Sequence, residues 1–438
     1  MKLKLSVYCV VGALLVGQVH GARAQLLDQL FGPGTRGLQI EPGVTVTSRE
    51  RPDFDFRGIR TGAFVTRPQV SEAFGYDDNA TGTKPAKGST FVETQLNLRT
   101  ASDLPRYGVA GAITVDDYRY LSQPKQSYTN WVAALGGTYN VGRDTATLDY
   151  SHSNLNQTPR DLDTPLLDQS ISYRIDNLTG SYEIPINRLS LRPTLALTRY
   201  DFSNGTVAGQ PYIQTFRNRN VITPAIVASY ELAPRRSIVV LARNSTADYT
   251  NPTAGTPKRN YNDAELLAGL DYDGGGLWRY RALVGYEVRT FTNNAYKTIQ
   301  APVVEATAIF TPSGLTTLTG TVSRRIQDSS SESTVGYTET AARLTIDHEL
   351  RRNVLLHGQG GVYLDSFNQN QGNQVLYSAG VGATWLVNRN IRLAATYAFT
   401  TRQSNSSATT ATTGSNPGLP LGSSFLENIY LIQLTFGL

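Results

Sequence analysis

The sequence predicts an all-β protein: a transmembrane, antiparallel, up-and-down β-barrel of about eighteen strands, with sixteen the next even count down. Three observations predict it. The stretch Glu427–Leu438 alternates, with Tyr430, Ile432, Leu434, Phe436 and Leu438 on one face and Ile429, Leu431, Gln433, Thr435 and Gly437 on the other. That period of two is the signature of an extended strand. From Thr61 onward, similar segments of about ten residues recur, the length a tilted strand needs to cross a bilayer. Finally, the connections between them alternate short and long, as periplasmic turns and extracellular loops do in outer-membrane barrels. A soluble sandwich has no reason to keep that rhythm.

The first element, residues 1–24, reads as a secretory signal peptide. Lys2 and Lys4 precede an apolar run from Leu5 to Val16, and Ala22-Arg23-Ala24 forms a small-x-small cleavage site before Gln25. The apolar run falls short of the ~20 residues a helical span requires. Cys9, the sole cysteine, lies within it, so the exported chain is expected to carry no disulfide. Net charge is +5 with no basic run, which makes nucleic acid an unsuitable partner. Mean hydropathy is −0.28, and no later stretch reaches ~18 consecutive apolar residues, which excludes helical spans. Tyr (24) and Gly (39) are abundant, as many strands with tight turns and aromatic belts require.

Residues 25–57 form a different segment. Gly32-Pro33-Gly34, Glu41-Pro42-Gly43 and the charged run Arg49-Glu50-Arg51-Pro52-Asp53 mark turns and irregular structure. The expectation is a periplasmic extension, with a short strand at Gly43–Thr47, or a small plug folded into the barrel mouth. Residues 58–438 are the barrel. Its strands are expected at 61–77, 89–100, 105–118, 128–140, 144–153, 170–184, 188–202, 217–231 and 236–244. They continue at 261–273, 277–291, 301–311, 314–326, 335–348, 352–365, 374–387, 390–401 and 427–438. The longest connection, Gln403 to Leu426, is rich in Ser, Thr, Asn and Gly and reads as a surface loop that could fold inward.

The faces of these strands differ in kind. On one face the pattern places Glu93, Arg99, Asp116, Asp149, Arg174, Arg192, Glu265, Asp271, Glu305, Arg325 and Arg392. It adds Arg217, Arg219, Arg279, Arg281, Glu287, Arg289, Glu339, Arg343 and Asp347, the candidates for lumen and constriction. An Arg or Lys facing lipid at mid-depth costs about 2–4 kcal/mol, so this face must border a wet lumen. Cross-strand pairing that stiffens the wall is one role for these charges. A ladder that guides a polar solute is the other, with Arg279, Arg281, Glu287 and Arg289 its best single cluster. Inward aromatics number few in this reading: Phe91, Tyr200 and Tyr363. The opposite face carries Trp131, Tyr139, Tyr280, Tyr286, Trp385, Tyr397 and Tyr430, rings suited to the headgroup level. Tyr430, Leu434, Phe436 and Leu438 make a C-terminal pattern similar to the assembly signal of outer-membrane barrels, which usually end on Phe.

Catalytic and metal chemistry finds no pattern. His152, His348 and His357 are scattered without ligand spacing, and neither a G-x-S-x-G elbow nor a phosphate loop occurs. His152 between Ser151 and Ser153 is a weak nucleophile–base candidate. The expectation is no enzyme, no cofactor and no metal.

Phe74-Gly75-Tyr76-Asp77-Asp78-Asn79, Ala146-Thr147-Leu148-Asp149-Tyr150-Ser151, Arg188-Leu189-Ser190-Leu191-Arg192-Pro193 and Thr198-Arg199-Tyr200-Asp201-Phe202 carry a resemblance. Together they resemble the proteobacterial outer-membrane porin family often labelled "beta-barrel porin 2", over nearly all of the chain after Arg57. The resemblance implies association with exopolysaccharide synthesis and export, and brings no functional residues with it. Within the first motif, Asp and Asn read as turn caps rather than a calcium or sugar site. The expected function is passive passage of polar solutes through an outer-membrane pore, with an accessory role in exopolysaccharide export implied by the resemblance. The alternative is a closed structural or adhesive barrel. Expected partners are outer-membrane lipid and lipopolysaccharide, the outer-membrane assembly machinery and polysaccharide; the oligomeric state is left open.

Overall fold

The structure is a computed structural model that describes residues 43–438 except 103, 105, 165–166, 208, 332–333, 368–371 and 406–421. The signal peptide, residues 25–42 and the centre of the longest loop lie outside the described residues. Eighteen long antiparallel strands close into a ring. A three-residue strand, β1 (Ile59–Thr61), leads into β2 (Phe64–Asp77), β3 (Ser89–Ser102), β4 (Tyr107–Tyr120), β5 (Tyr128–Val141), β6 (Asp144–Gln157), β7 (Ile171–Ile186) and β8 (Leu189–Phe202). A small hairpin, β9 (Gly205–Val207) and β10 (Gln210–Tyr212), stands apart in the connection that follows. The wall resumes with β11 (Arg219–Ala233), β12 (Arg236–Tyr249), β13 (Tyr261–Asp273), β14 (Trp278–Phe291), β15 (Ile299–Ser313) and β16 (Thr316–Asp328). It ends with β17 (Gly336–Arg351), β18 (Val354–Phe367), β19 (Asn373–Leu386), β20 (Ile391–Ser404) and β21 (Phe425–Gly437).

Each long strand pairs with its neighbours in sequence, and β21 pairs with β2 from Gln69 opposite Gly437 to Asp77 opposite Ile429. Among the described residues, closure leaves none of the eighteen long strands as a sheet edge, which explains why a long apolar strand can stand last in the wall. The ladder pairs backbone groups of neighbouring strands with one another rather than with water, as a bilayer demands. The strands run 13–16 residues, and several extend past the segments read from alternation alone. In β6 and β12 the extension lies at the loop end, from Ser153 to Gln157 and from Asn244 to Tyr249. There the outward side chains turn polar and the simple apolar alternation fades.

Apolar residues crowd the outside. Phe74, Leu135, Leu148, Leu266, Val284, Val381 and Ile432 are all exposed, a face that only lipid can cover. The inside is not uniformly polar, however. Val227, Val239, Leu241, Leu267, Leu283 and Val303 form a buried apolar strip on the inner face of β11–β15. Nearer the loop end the polarity of the two faces reverses. On β7, Ile171 and Ile175 are buried inside, while Arg174 and Asp176 point out. The expectation that Arg174 faces the lumen is therefore corrected. It stands opposite Asn154 and Asp201, one step from inward Tyr173. The rule that apolar means outward holds only where hydrocarbon is outside.

The segment 43–57 is not a strand at its start. Thr45–Ser48 forms a turn, with Arg49 N donating to Thr45 O at 3.0 Å, so the expected strand at Gly43–Thr47 is corrected. Its Ser and Thr hydroxyls take up the local backbone groups instead, Ser48 Oγ accepting from Thr45 N at 2.8 Å. The segment lies in the short-turn mouth. Val46 packs on Leu355 and Leu386, and its N–H donates to Thr317 Oγ1 at 3.0 Å. Arg51 pairs with Glu349 at 2.7 Å, both nearly buried. Phe56 lies beneath the Arg392 guanidinium, 4.1 Å from ring centre. Phe56 also rests on Gly437, where a Cβ would come within 2.6 Å of its ring. Only glycine leaves it that room.

Candidate permeation pathway

The pathway is shaped from its loop end by the connection 158–170 between β6 and β7. This connection does not project away from the barrel. It turns inward and reaches the opposite wall. Arg160, fully buried, donates Nη1 to Asp77 on β2 at 2.7 Å, to Glu427 on β21 at 3.0 Å and to the Tyr120 hydroxyl on β4 at 3.0 Å. Arg402 on β20 holds the same connection, donating to the carbonyls of Pro159 and Asp161 at 3.1 and 2.7 Å. Burial pulls the Arg160 guanidinium down, but Tyr120, Glu427 and Asp77 around it more than reverse this, and it stays charged. Arg160 thus meets two carboxylates at once, the close pairing that a charge kept out of water requires.

Further along, Asp163 takes a left-handed backbone, φ 47°. It accepts from Ser329 Oγ at 2.8 Å and Ser330 N at 2.5 Å, which ties the connection to the one between β16 and β17. Its own N–H donates to Gln374 Oε1 on β19 at 2.9 Å. Burial pushes the Asp163 carboxyl up to about 6, against the pull of the Ser330 N–H and of Arg217. Arg217, in the turn before β11, donates to Gln157 at 2.8 Å and stacks 3.9 Å over Phe202. Burial brings its guanidinium down to about 10. Tyr212 of the small hairpin packs on Leu167 and Ile171, and Arg259 donates to the carbonyls of Ser329 and Thr334 at 3.2 and 3.0 Å. Four connections thus interlock within the loop-side mouth.

They rest on inward aromatic rings. Phe91, Tyr118, Tyr120 and Tyr128 cluster on β3–β5. Tyr173 stacks on Phe202, Tyr249 and Phe291 flank Tyr261, and Tyr337 meets Phe367. Inward aromatics are therefore many, where the sequence reading found few. They were missed because they sit at strand ends, where polarity reverses. Most are covered, Phe91 at 2% and Tyr120 at 3% exposure, so they support loops rather than offer a stacking track.

The charged candidates line the wall below. The expected cluster on β14 divides in two. Glu287 and Arg289 belong to the buried loop-side network: Arg289 pairs with Asp263 at 2.7 Å and Asp328 at 3.0 Å, 4.1 Å over Tyr261. Glu287 accepts from Ile326 N at 2.9 Å. Arg219 joins them through Asp328 at 3.1 Å, 4.1 Å over Tyr200. Arg281 and Arg279 stand at the short-turn end, paired with Asp271 and, at 2.7 Å, Asp273. Glu339 faces Arg325 at 3.7 Å, Arg343 donates to the Tyr363 hydroxyl at 3.0 Å, and Asp347 bonds His357 at 2.7 Å. Arg243, absent from the sequence candidates, bridges Glu265 and Glu305. Its inward neighbours Val239 and Leu241 are apolar, so alternation alone does not mark that face as polar.

Of the interface aromatics, Trp131, Tyr280, Tyr286, Trp385, Tyr397 and Tyr430 all lie on the outer face by register. Tyr280 stands near the short turns, whereas Tyr286, Tyr397 and Tyr430 lie nearer mid-strand. Tyr397 and Tyr430 pack together at 5.1 Å. Leu434 and Phe436 share that outer face, and Leu438 follows them just beyond β21. His152 points outward while Ser151 and Ser153 point in, so they form no nucleophile–base pair. Asn79 N donates to Asp77 Oδ1 at 2.8 Å, the turn read from the sequence. The other oxygen of Asp77 holds Arg160, which local reading could not reveal.

A family model described as "Putative beta-barrel porin 2" matches residues 51–415. No curated protein matches the chain. Among solved structures it is similar to Pseudomonas aeruginosa OccK1 (OpdK), at 11% identity and a TM-score of 0.43, over 85% of this chain and 99% of that one. It is also similar to a BenF-like porin from Pseudomonas fluorescens Pf-5, at 11% identity and 0.44, over 86% and 99%. A third, Acinetobacter baumannii OccAB2, stands at 11% and 0.43, over 85% and 98%.

Proposed function

The chain belongs to the family described as "Putative beta-barrel porin 2", porin-like barrels of the bacterial outer membrane, and from that premise we propose that it gives small polar solutes passive passage. The observation that carries the reading is the inner wall of β11–β20. Its charges face away from lipid and are matched in pairs, Arg281 with Asp271, Arg243 with Glu265 and Glu305, and Arg325 with Glu339. A paired wall offers water, polarity and little net field, so it favours hydrophilic solutes of either sign over one ion. The interlocked mouth narrows the path, and covered aromatic rings argue for short solutes over a long sugar polymer.

Single-channel recording of the folded barrel in a planar bilayer tests this reading. Stable ohmic steps with weak ion selectivity are expected. A second reading, a closed structural or adhesive barrel, draws on the seating of 43–57 and 158–170 in the two mouths. Silence in the wild type and after removal of 25–57 would favour it. The finer role, an accessory to exopolysaccharide export, predicts less secreted polysaccharide on gene deletion, restored by the wild-type chain.

A further inference from the structure

The outer face carries a second pattern that passage of solutes does not use. Below its loop-side third the wall between β4 and β8 presents apolar and aromatic groups outward, among them Ile113, Leu135, Leu148, Leu178 and Leu195. Above them it presents charge. On β7 and β8 the outward residues form a checkerboard, Asp176 opposite Arg199 and Arg174 opposite Asp201. His152 stands across from Asp176 and bonds it at 2.7 Å. On β4, outward Asp117 and Arg119 pair, and Arg119 also donates to Thr129 Oγ1 at 3.1 Å.

Height fits this pattern to one layer of the membrane. Asp176 stands ten residues from the short-turn end of its strand at Ile186, and Arg199 ten from Leu189. Ten residues of a strand tilted by about 40° climb roughly 25 Å, the height of the apolar band of such barrels. Arg119 and Arg174 lie two residues higher. These charges therefore begin where hydrocarbon ends. In the Arg119–Asp117 and Arg199–Asp201 pairs the two partners also differ in reach. The Arg119 side chain is 56% exposed against 24% for Asp117, and Arg199 is 64% exposed against 25% for Asp201. Asp117 and Asp201 lie close to the wall and hold Arg119 and Arg199 from behind, and with exposed Arg174 the guanidinium heads form the outer fringe. A guanidinium bonded to one carboxylate keeps further N–H donors for a second anion.

We propose that Arg119, Arg174 and Arg199 form a docking site for the phosphorylated saccharide headgroup of an outer-leaflet glycolipid. The arginine fringe takes the phosphates, and the polar groups between, Thr129, Asn154 and His152, face the sugar hydroxyls. The site rests on the barrel's place in the outer membrane and is independent of whether the lumen conducts.

The test uses the full-length folded barrel, purified in detergent and exchanged against lipid A or lipid A stripped of its phosphates. Bound lipid is counted by native mass spectrometry. Wild type retains the phosphorylated form about tenfold better, and the triple variant Arg119→Gln/Arg174→Gln/Arg199→Gln loses that preference. The corresponding triple Lys variant keeps most of it. Folding of each variant is checked by its heat-resistant migration. Equal retention of the two lipids by wild type would overturn the proposal, whether or not the Gln variant folds. So would a folded Gln variant that still prefers the phosphorylated lipid.

Discussion

Arg160 is the residue on which the loop-side mouth turns. It contacts Asp77, Tyr120 and Glu427, which lie on three strands and are 83, 40 and 267 residues away in sequence. Pairings of that range leave no local signal, which is why Asp77 was legible as a turn residue and Arg160 was not legible at all. Removing one partner of a buried pair leaves the other charge uncompensated, at about 3–5 kcal/mol. Arg160→Met is expected to free the connection 158–170, seen as faster cleavage there by proteinase K and as noisier conductance. Unchanged cleavage would mean that Arg402 alone retains it. Asp163 adds a pH dependence. Its folded pKa, about 6, lies above the ordinary 3.8, so the folded state favours the neutral acid. Its contribution is full below about 4 and is lost as pH rises toward 6 and beyond. Protection of the connection should therefore fall between pH 4 and 6.5, and Asp163→Asn should flatten that change.

At the scale of elements, alternation carried the strands. β8, β13 and β14 could be read almost to the residue, because lipid on one side and water on the other impose a period of two. The reading failed where that contrast ends. On β7, Arg174 faces out and Ile171 and Ile175 face in, since folded connections supply an apolar inside and headgroups a polar outside. The same reversal hid the inward rings at Tyr118, Tyr128, Tyr249 and Phe291. Segment 43–57 is held by Arg51–Glu349 and by Phe56 beneath Arg392. Glu349→Gln leaves the buried Arg51 with a neutral partner, and is expected to release the segment and raise conductance. Removing residues 25–57 should give the same increase. Conductance unchanged by both would place the narrowest passage at 158–170 instead.

For the whole molecule, the rhythm of short and long connections was the most informative signal. It gave the ring of eighteen strands that the closure of β21 on β2 completes. Among the wall charges, Arg174 was read onto the wrong face and Arg243 was not read at all, and how the others divide left no local signal. Arg279 and Arg281 lie at one mouth and Glu287 and Arg289 at the other, although one strand carries all four. Replacing Arg279 and Arg281 with Ala should therefore shift ion preference toward cations while leaving the loop-side network intact. The central claim is that lipid lies outside this ring and water inside it. Reaction of single cysteines with a membrane-impermeant maleimide tests that most directly, in the folded barrel in liposomes. Arg281→Cys and Arg343→Cys are predicted to react readily, and Ala282→Cys and Leu344→Cys to stay protected. Protection of the first pair with reaction of the second would contradict it.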